Sequence, residues 1–234
     1  MQKFIGAVSI VCGTAIGAGL IALPLALAKV GIAITEVLIL VNLLVAYRTS
    51  CVMIDINHHL SKGTSIVECS KILSGDWMRM LAMASFFALS FSLLAVYIAC
   101  TADIISAAFG QKSSTMIVIL CGTVFCILFS LKVKLLSNLN SIFFILLILS
   151  IFTVLFKVFI KSFSMPFFSD ISNGNHIFSA LPILFTSFGV QNVCPHVYDF
   201  LDKNHEKTKR AFLVGIIFTA IIYMSWIYVV LTSI

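Results

Sequence analysis

The chain has 234 residues, of which 61% are hydrophobic and only 10% are charged. Because a soluble domain typically has about a quarter of its residues charged, this composition excludes a soluble protein and indicates that lipid surrounds most of the surface. The formal charge of +6 comes from basic residues that stand singly between apolar stretches. It therefore indicates a membrane protein that follows the positive-inside rule, without the basic face of a nucleic-acid-binding protein.

Long apolar stretches predict an all-α membrane protein with about seven transmembrane helices, at about 20 residues per crossing. They lie near residues 4–28, 33–56, 79–109, 115–131, 139–160, 177–200 and 211–233. The first stretch also has the Lys3 and Ala26-Leu27-Ala28 features of a signal peptide. It is longer than the apolar core of a signal peptide, which has about 7–15 residues, so we expect it to be retained as a helix.

Basic residues predict the orientation of these helices. With the N-terminus in the cytoplasm, eleven of the fifteen Lys and Arg residues lie at cytoplasmic ends or connections. The other four are Lys29, Lys112, Lys157 and Lys161, which would lie outside. The positive-inside rule therefore favours a multi-pass protein with a cytoplasmic N-terminus.

The first span contains glycines where a membrane helix is normally continuous. Gly13-Thr14-Ala15-Ile16-Gly17-Ala18-Gly19 precedes Pro24, and both glycine and proline lower helix stability. An interrupted helix in hydrocarbon needs protein or a polar cavity beside it. We expect an unwound segment whose free amides, with the helix that resumes near Gly19, bind a carboxylate. The alternative is close packing, for which Gly13-x-x-x-Gly17 is also a motif.

The sixth span contains a second interruption. Pro182, Ser187-Phe188-Gly189 and Pro195 lie within it, and the exposed carbonyls would accept hydrogen bonds from an ammonium group. Two broken helices, one early and one late, predict a binding site for a zwitterionic amino acid.

Two further residues of the sixth span are candidates with open alternatives. Phe188 either caps an aromatic substrate or packs against its neighbours. Asn192 either lines the cavity or bonds to freed backbone.

Other polar residues suggest fewer roles. Asp103 in the third span is a candidate for proton coupling, because a carboxylate within a membrane is costly and often functional. The alternative is that its side chain reaches the interface. His58 and His59 point in different directions on a helix, so we expect no metal site there. The seven cysteines lack CxxC spacing, and we expect them to pack as small apolar residues. No P-loop, HExxH or GxSxG motif indicates an enzyme, and no cofactor is expected.

The glycine run 13–19, followed by Ala22-Leu23-Pro24, resembles the first-helix motif of bacterial aromatic amino-acid permeases. Phe185-Thr186-Ser187-Phe188-Gly189, followed by Pro195, is similar to their sixth-helix motif. The resemblance implies the hydroxy and aromatic amino-acid permease family, with a LeuT-like bundle of two five-helix inverted repeats. It also implies proton-coupled import of tyrosine or tryptophan across the bacterial inner membrane.

The resemblance implies a complete second repeat, whereas the seven predicted spans contain only its start. Residues 1–165 would form the first five-helix repeat, and residues 166–234 would begin the second, within one transmembrane domain. We therefore expect a fragment or a prematurely ended reading frame.

Several alternatives to an aromatic permease remain. One is a serine/threonine permease of the same family, and another is an inactive remnant. A seven-helix photoreceptor is disfavoured, because residues 211–234 contain no lysine for a Schiff base.

Overall fold

The computed structural model describes residues 2–28, 30–60, 64–110, 112–130, 145–154, 156 and 177–233. Within these ranges all regular secondary structure is helical. The elements are α1 (Gln2–Leu27), α2 (Ile32–Leu60), α3 (Ile66–Phe109), α4 (Ser113–Ser130), α5 (Ile145–Val154), α6 (Ile177–Ser187), a 3-10 turn (Val190–Val193), α7 (Cys194–Phe200) and α8 (His205–Ser233). The predicted all-α fold class is confirmed.

Four helical stretches in the described part of the chain are long and apolar enough to cross a membrane. They are Ile32–Leu60, Ile66–Phe109, Ile177–Phe200 and His205–Leu231. Shorter apolar stretches overlap the first, fourth and fifth predicted spans, and they are Gln2–Gly17, Ser114–Ile127 and Ile145–Val154. The ends of the fifth predicted span and the predicted repeat boundary at residues 165–166 lie outside the described residues.

The third helix begins earlier than its hydropathy predicts. It starts at Ile66 and contains a kink at Gly75, whose φ of 81° lies in the left-handed region that favours glycine. Lys71 Nζ and Asp76 Oδ1, on either side of this kink, lie 3.6 Å apart. The residues from Ile66 to position 78 are therefore helical, although they are too polar for hydropathy to assign them to the span.

The chain divides into two compact units. The first comprises Met1–Cys69 and Leu149–Ile234, and the second comprises Ser70–Ile148. In the first unit α1 packs chiefly against α8 and α6, while α2 packs against α8 and α7. In the second unit α3 exposes large apolar side chains such as Trp77, Phe91 and Phe109.

Small residues bring α1 and α8 close together in the first unit. A Cβ atom at Gly215 of α8 would lie 2.7 Å from Cγ1 of Val11 in α1. Cys12 lies beside the same position, with its Sγ donating to the Gly215 carbonyl at 3.4 Å. Helices in lipid associate largely through such close packing, so this contact contributes to holding the first unit together.

We predict that Gly215→Ala lowers the stability of the chain. The added methyl group would lie 2.9 Å from Val11 Cβ as well as 2.7 Å from its Cγ1, and overpacking of this kind costs about 1–3 kcal/mol. Thermal unfolding of the purified chain in detergent measures the effect.

Gly122→Ala is the matched control, because a Cβ atom at Gly122 in α4 meets nothing within 4 Å. Alanine is a better helix former than glycine by about 1 kcal/mol, so this variant should be at least as stable as the parent. Equal losses in the two variants would contradict the close approach of α1 and α8.

Candidate functional site

The sixth span is interrupted as the sequence predicts. α6 ends at Ser187, and the chain turns at Gly189, where Val190 N–H donates to the Phe188 carbonyl at 2.7 Å. With φ −70° and ψ 49°, Gly189 is close to an inverse γ-turn. The chain continues through the 3-10 turn, and α7 then begins with Cys194-Pro195, where proline suits the first turn of a helix.

Side chains from two other helices bind carbonyls in the last turn of α6. The last four carbonyls of a helix lack partners within the helix. Asn42 of α2 donates its Nδ2–H to the Leu184 carbonyl at 2.8 Å. The hydroxyl of Tyr223 in α8 lies 3.1 Å from the Ser187 carbonyl. Both side chains are buried, so these bonds lie inside the bundle.

The first span is not interrupted, contrary to the sequence-based prediction. α1 is continuous from Gln2 to Leu27, across the whole run Gly13–Gly19. The backbone amides of this run therefore lie within a helix in this structure. At Gly19 the physical reason is visible, because another helix uses the space that the missing side chain leaves.

Gly19 illustrates this use of space. A Cβ atom at Gly19 would overlap the hydroxyl group of Tyr223 and lie 2.9 Å from Cβ of Ser187. The absent side chain lets the Tyr223 hydroxyl reach the Ala15 carbonyl at 2.6 Å. Since a phenol has one hydrogen, it donates either to Ala15 or to Ser187. Tyr223 therefore links α1 to the end of α6.

Pro24 creates a second link between α1 and α8. Proline has no backbone N–H, so the carbonyl of Leu20, four residues earlier, loses its helical partner. The indole Nε1–H of Trp226 donates to this carbonyl at 2.9 Å. A side chain of α8 thus replaces the hydrogen bond that proline removes, and α1 continues past Pro24.

Phe188 is buried at the interruption, with 1% of its surface exposed. Its ring meets the ring of Tyr223 edge to face, with centroids 5.3 Å apart and planes at 79°. This geometry is favourable for two aromatic rings. Phe188 was predicted either to cap an aromatic substrate or to pack against its neighbours. In this structure it packs against Tyr223 of α8.

The structure brings together only part of the predicted site. Ala15, Gly19, Ser187 and Phe188 surround Tyr223, and Gly189 makes the turn beside them. Ile16 is also buried, and Gly13 is partly buried. Ala18 is helical, but its side chain lies outside the described set.

The remaining predicted residues lie elsewhere. Thr14, Gly17 and Asn192 are exposed, and the Thr14 hydroxyl donates to the Ile10 carbonyl of its own helix at 2.8 Å. Asp103 is exposed in α3, within the second unit.

A polar cluster joins α2, α7 and α8 at another position in the first unit. Asp55 Oδ1 lies 2.6 Å from His205 Nε2 and 2.7 Å from Lys209 Nζ. The His205 ring lies against that of His58, with centroids 4.7 Å apart, and His58 Nδ1 lies 3.1 Å from the Tyr198 hydroxyl. Among the described residues no group of three or more His, Cys, Asp and Glu side chains is arranged to hold a metal ion.

The sequence does not single out Asn42, and it leaves Tyr223 open between an interfacial anchor and packing beside a substrate. Asn42 had a readable signal, because a lone amide within an apolar span needs a partner inside the bundle. The signal of Tyr223 was weaker, since tyrosine in a membrane helix also serves as an interfacial anchor. Its role depends on helices that are distant in sequence.

The chain is similar to known proteins over nearly its full length. The profile of the tryptophan/tyrosine permease family matches residues 1–234. The tyrosine-specific transport system 1 of Haemophilus influenzae is 26% identical over 231 residues, covering 97% of this chain and 57% of that protein. The glutamine transporter 2 of Aliivibrio fischeri is 27% identical, with coverage of 97% and 60%.

A third relative has a similar degree of likeness. The low affinity tryptophan permease of Escherichia coli K12 is 24% identical over 233 residues, covering 94% of this chain and 56% of that protein. The chain thus spans 56–60% of the length of these relatives. No solved structure matches the chain.

We predict that Tyr223→Phe destabilises the chain by about 1–3 kcal/mol, because it removes the buried donor to the Ser187 carbonyl at the end of α6 and the link to the Ala15 carbonyl. Thermal unfolding in detergent measures the change.

Tyr97→Phe is the matched control. The Tyr97 hydroxyl is half-buried in α3 and has no hydrogen-bond partner among the described residues. The free energy of unfolding of Tyr97→Phe should stay within about 0.5 kcal/mol of that of the parent. A loss in Tyr97→Phe as large as that in Tyr223→Phe would argue against the Tyr223 bridge.

Proposed function

We propose, from the premise that this chain belongs to the tryptophan/tyrosine permease family, that it takes part in carrying an aromatic amino acid, tyrosine or tryptophan, across a membrane. The observation that carries the proposal is the interruption between α6 and α7, where buried side chains bind the carbonyls of Leu184 and Ser187. Because the chain spans 56–60% of its relatives, an activity of this chain by itself is part of the proposal.

The carbonyl end of α6 suits the ammonium group of an amino acid. The C-terminus of a helix carries a partial negative charge from its unpaired carbonyls. The Tyr223 hydroxyl is bonded there, and it has a second acceptor at Ala15. An ammonium group can therefore take its place at Ser187 while Tyr223 keeps its bond to Ala15.

Two aromatic rings support the choice of an aromatic substrate. Phe188 and Tyr223 are buried beside the Ser187 carbonyl, with their rings edge to face. A substrate ring entering this region would make further contacts of the same kind, each worth about 0.5–1.5 kcal/mol beyond its area burial.

The substrate carboxylate is assigned to the glycine run 13–19, as the sequence predicts. Those amides are within a helix in this structure, so the proposal requires α1 to open there when substrate binds. The flanking glycines lower the cost of such opening, because glycine stabilises a helix by about 1 kcal/mol less than alanine.

The membrane and the coupling ion complete the proposal. The chain is a multi-pass membrane protein, and we assign it to the bacterial inner membrane with a cytoplasmic N-terminus, on the distribution of Lys and Arg. We also propose a proton as the coupling ion, with Asp103 as its candidate carrier.

Substrate competition tests the proposed function. The purified chain in detergent should bind radiolabelled tyrosine, and cells that lack their own aromatic amino-acid transport should take it up when they express the chain. Excess tryptophan should remove most of the signal, whereas excess glutamine or serine should leave most of it.

Each other result has a definite meaning. Stronger competition by serine would indicate a serine/threonine permease, and stronger competition by glutamine would indicate a substrate with a side-chain amide. Failure of the folded chain to bind any of the four amino acids would refute the proposal for this chain.

A second experiment tests the site with Gly19→Ala. The added methyl group overlaps the Tyr223 hydroxyl. The hydroxyl must therefore move away from the Ala15 and Ser187 carbonyls that it contacts. Tyrosine affinity should fall by about tenfold or more, which corresponds to about 1.4 kcal/mol.

Gly122→Ala, where the methyl group meets open space, should keep the affinity of the parent. Parental affinity in a folded Gly19→Ala variant would place the site elsewhere.

A further inference from the structure

A basic pocket lies in the first unit, away from the interruption in the sixth span. Its volume is about 750 Å³, within the range typical of ligand pockets. It is formed where the first turn of α1, the loop after α7 and the first two turns of α8 meet. The lining residues are Gln2, Lys3, Phe4, Leu201, Asp202, Lys207 and Arg210.

The charged side chains of the pocket leave an excess of two positive charges. Lys3, Lys207 and Arg210 are basic, and Asp202 is the one acidic residue of the lining. Lys3 Nζ bonds both carboxylate oxygens of Asp202 at 2.8 Å, so this pair is neutral together. In the described part of the chain, neither Lys207 nor Arg210 has a carboxylate within 4 Å of its charged group.

Backbone hydrogen bonds hold the loop that forms one side of the pocket. Asp202 and Lys203 have positive φ angles of 56° and 58°. Their amides donate to the carbonyls of Asp199 at 3.1 Å and Tyr198 at 2.9 Å. Asn204 then caps α8, accepting the Lys207 amide on its Oδ1 at 2.9 Å. Lys207 and Arg210 thus belong to the capped start of α8, beside a loop that is held by its own backbone hydrogen bonds.

The pocket combines this charge with apolar surface. Leu201 is buried, with 4% of its surface exposed, and Phe4 packs partly buried against the core. Basic pockets beside membrane helices are suited to phosphate-bearing headgroups, whose charge meets Lys and Arg while the rest of the lipid meets apolar side chains.

We propose that this pocket binds a phosphate-bearing anion, either the headgroup of an anionic phospholipid or free inorganic phosphate. Arg210 supplies planar paired donors that match phosphate oxygens, and Lys207 adds a point charge. This site is independent of the proposed transport function and of the Tyr223 region.

Native mass spectrometry of the purified chain in a neutral detergent tests the proposal. The chain is titrated separately with phosphatidylglycerol, with phosphatidylcholine and with inorganic phosphate at constant ionic strength. Phosphatidylglycerol should be retained in preference to phosphatidylcholine. In Lys207→Gln/Arg210→Gln its affinity should fall roughly 10- to 30-fold, from the loss of two charges near a membrane surface.

Arg79→Gln/Lys112→Gln is the control pair, because it removes the same formal charge from α3 and from the residue before α4, and neither residue is part of the lining of the pocket. It should retain phosphatidylglycerol like the parent. Asp202→Asn acts in the opposite direction, since it raises the pocket to three positive charges and releases Lys3 from its partner. Its affinity for phosphatidylglycerol should increase.

The arms of the experiment distinguish the two sources. Phosphate that binds alone and displaces phosphatidylglycerol identifies free phosphate as sufficient. Phosphatidylglycerol that resists displacement identifies the lipid headgroup.

Equal binding of phosphatidylglycerol and phosphatidylcholine, or no binding of either phosphatidylglycerol or phosphate, would overturn the proposal. So would parental affinity in the double variant. If the double variant does not fold, Asp202→Asn decides, because unchanged or weaker anion binding in that variant contradicts the proposed site.

Discussion

The hydroxyl of Tyr223 is the contact on which the first unit depends. It reaches the carbonyls of Ala15 and Ser187, which belong to different helices and lie more than 170 residues apart in the chain. An unbonded carbonyl in an apolar interior is costly, and Ser187 lies at the end of α6, where its carbonyl lacks a helical partner. The hydroxyl bonds this carbonyl and also reaches α1, so it ties α1, α6 and α8 together. Gly19 is glycine because the hydroxyl occupies the space that a side chain would need.

The same solution recurs at two other positions of this unit. Trp226 serves the carbonyl that Pro24 leaves unbonded, and Asn42 serves the last turn of α6. Each donor belongs to a helix other than the one whose carbonyl it bonds. A local defect in one helix is therefore satisfied by a bond to a neighbouring helix. Under the proposed function, a ligand that offers its own donor competes with these side chains for the carbonyls. This competition connects the packing of the bundle with the transport function proposed for it.

Local residues determine the outcome at one of the two predicted interruptions but not at the other. At Gly189 and Pro195 the local residues end one helix and start another, and a local pattern is enough to predict that. At Gly13–Gly19 the same residue type allows two outcomes, an unwound segment or close packing. The outcome here depends on Tyr223, about 200 residues away, which no local pattern can identify. Hydropathy predicted the spans but not the start of α3, because polar residues before position 79 extend that helix.

The bond between Trp226 and Leu20 has a consequence for biosynthesis. The two residues are separated by 206 positions, so at about 5–20 residues per second the ribosome makes Trp226 some 10–40 s after Leu20. During that interval α1 is present without the donor that Pro24 makes necessary, and an exposed carbonyl is poorly tolerated in hydrocarbon. Until α8 arrives, we expect water or a local 3-10 adjustment of α1 to satisfy the Leu20 carbonyl. The order of synthesis makes α8 the element that completes α1.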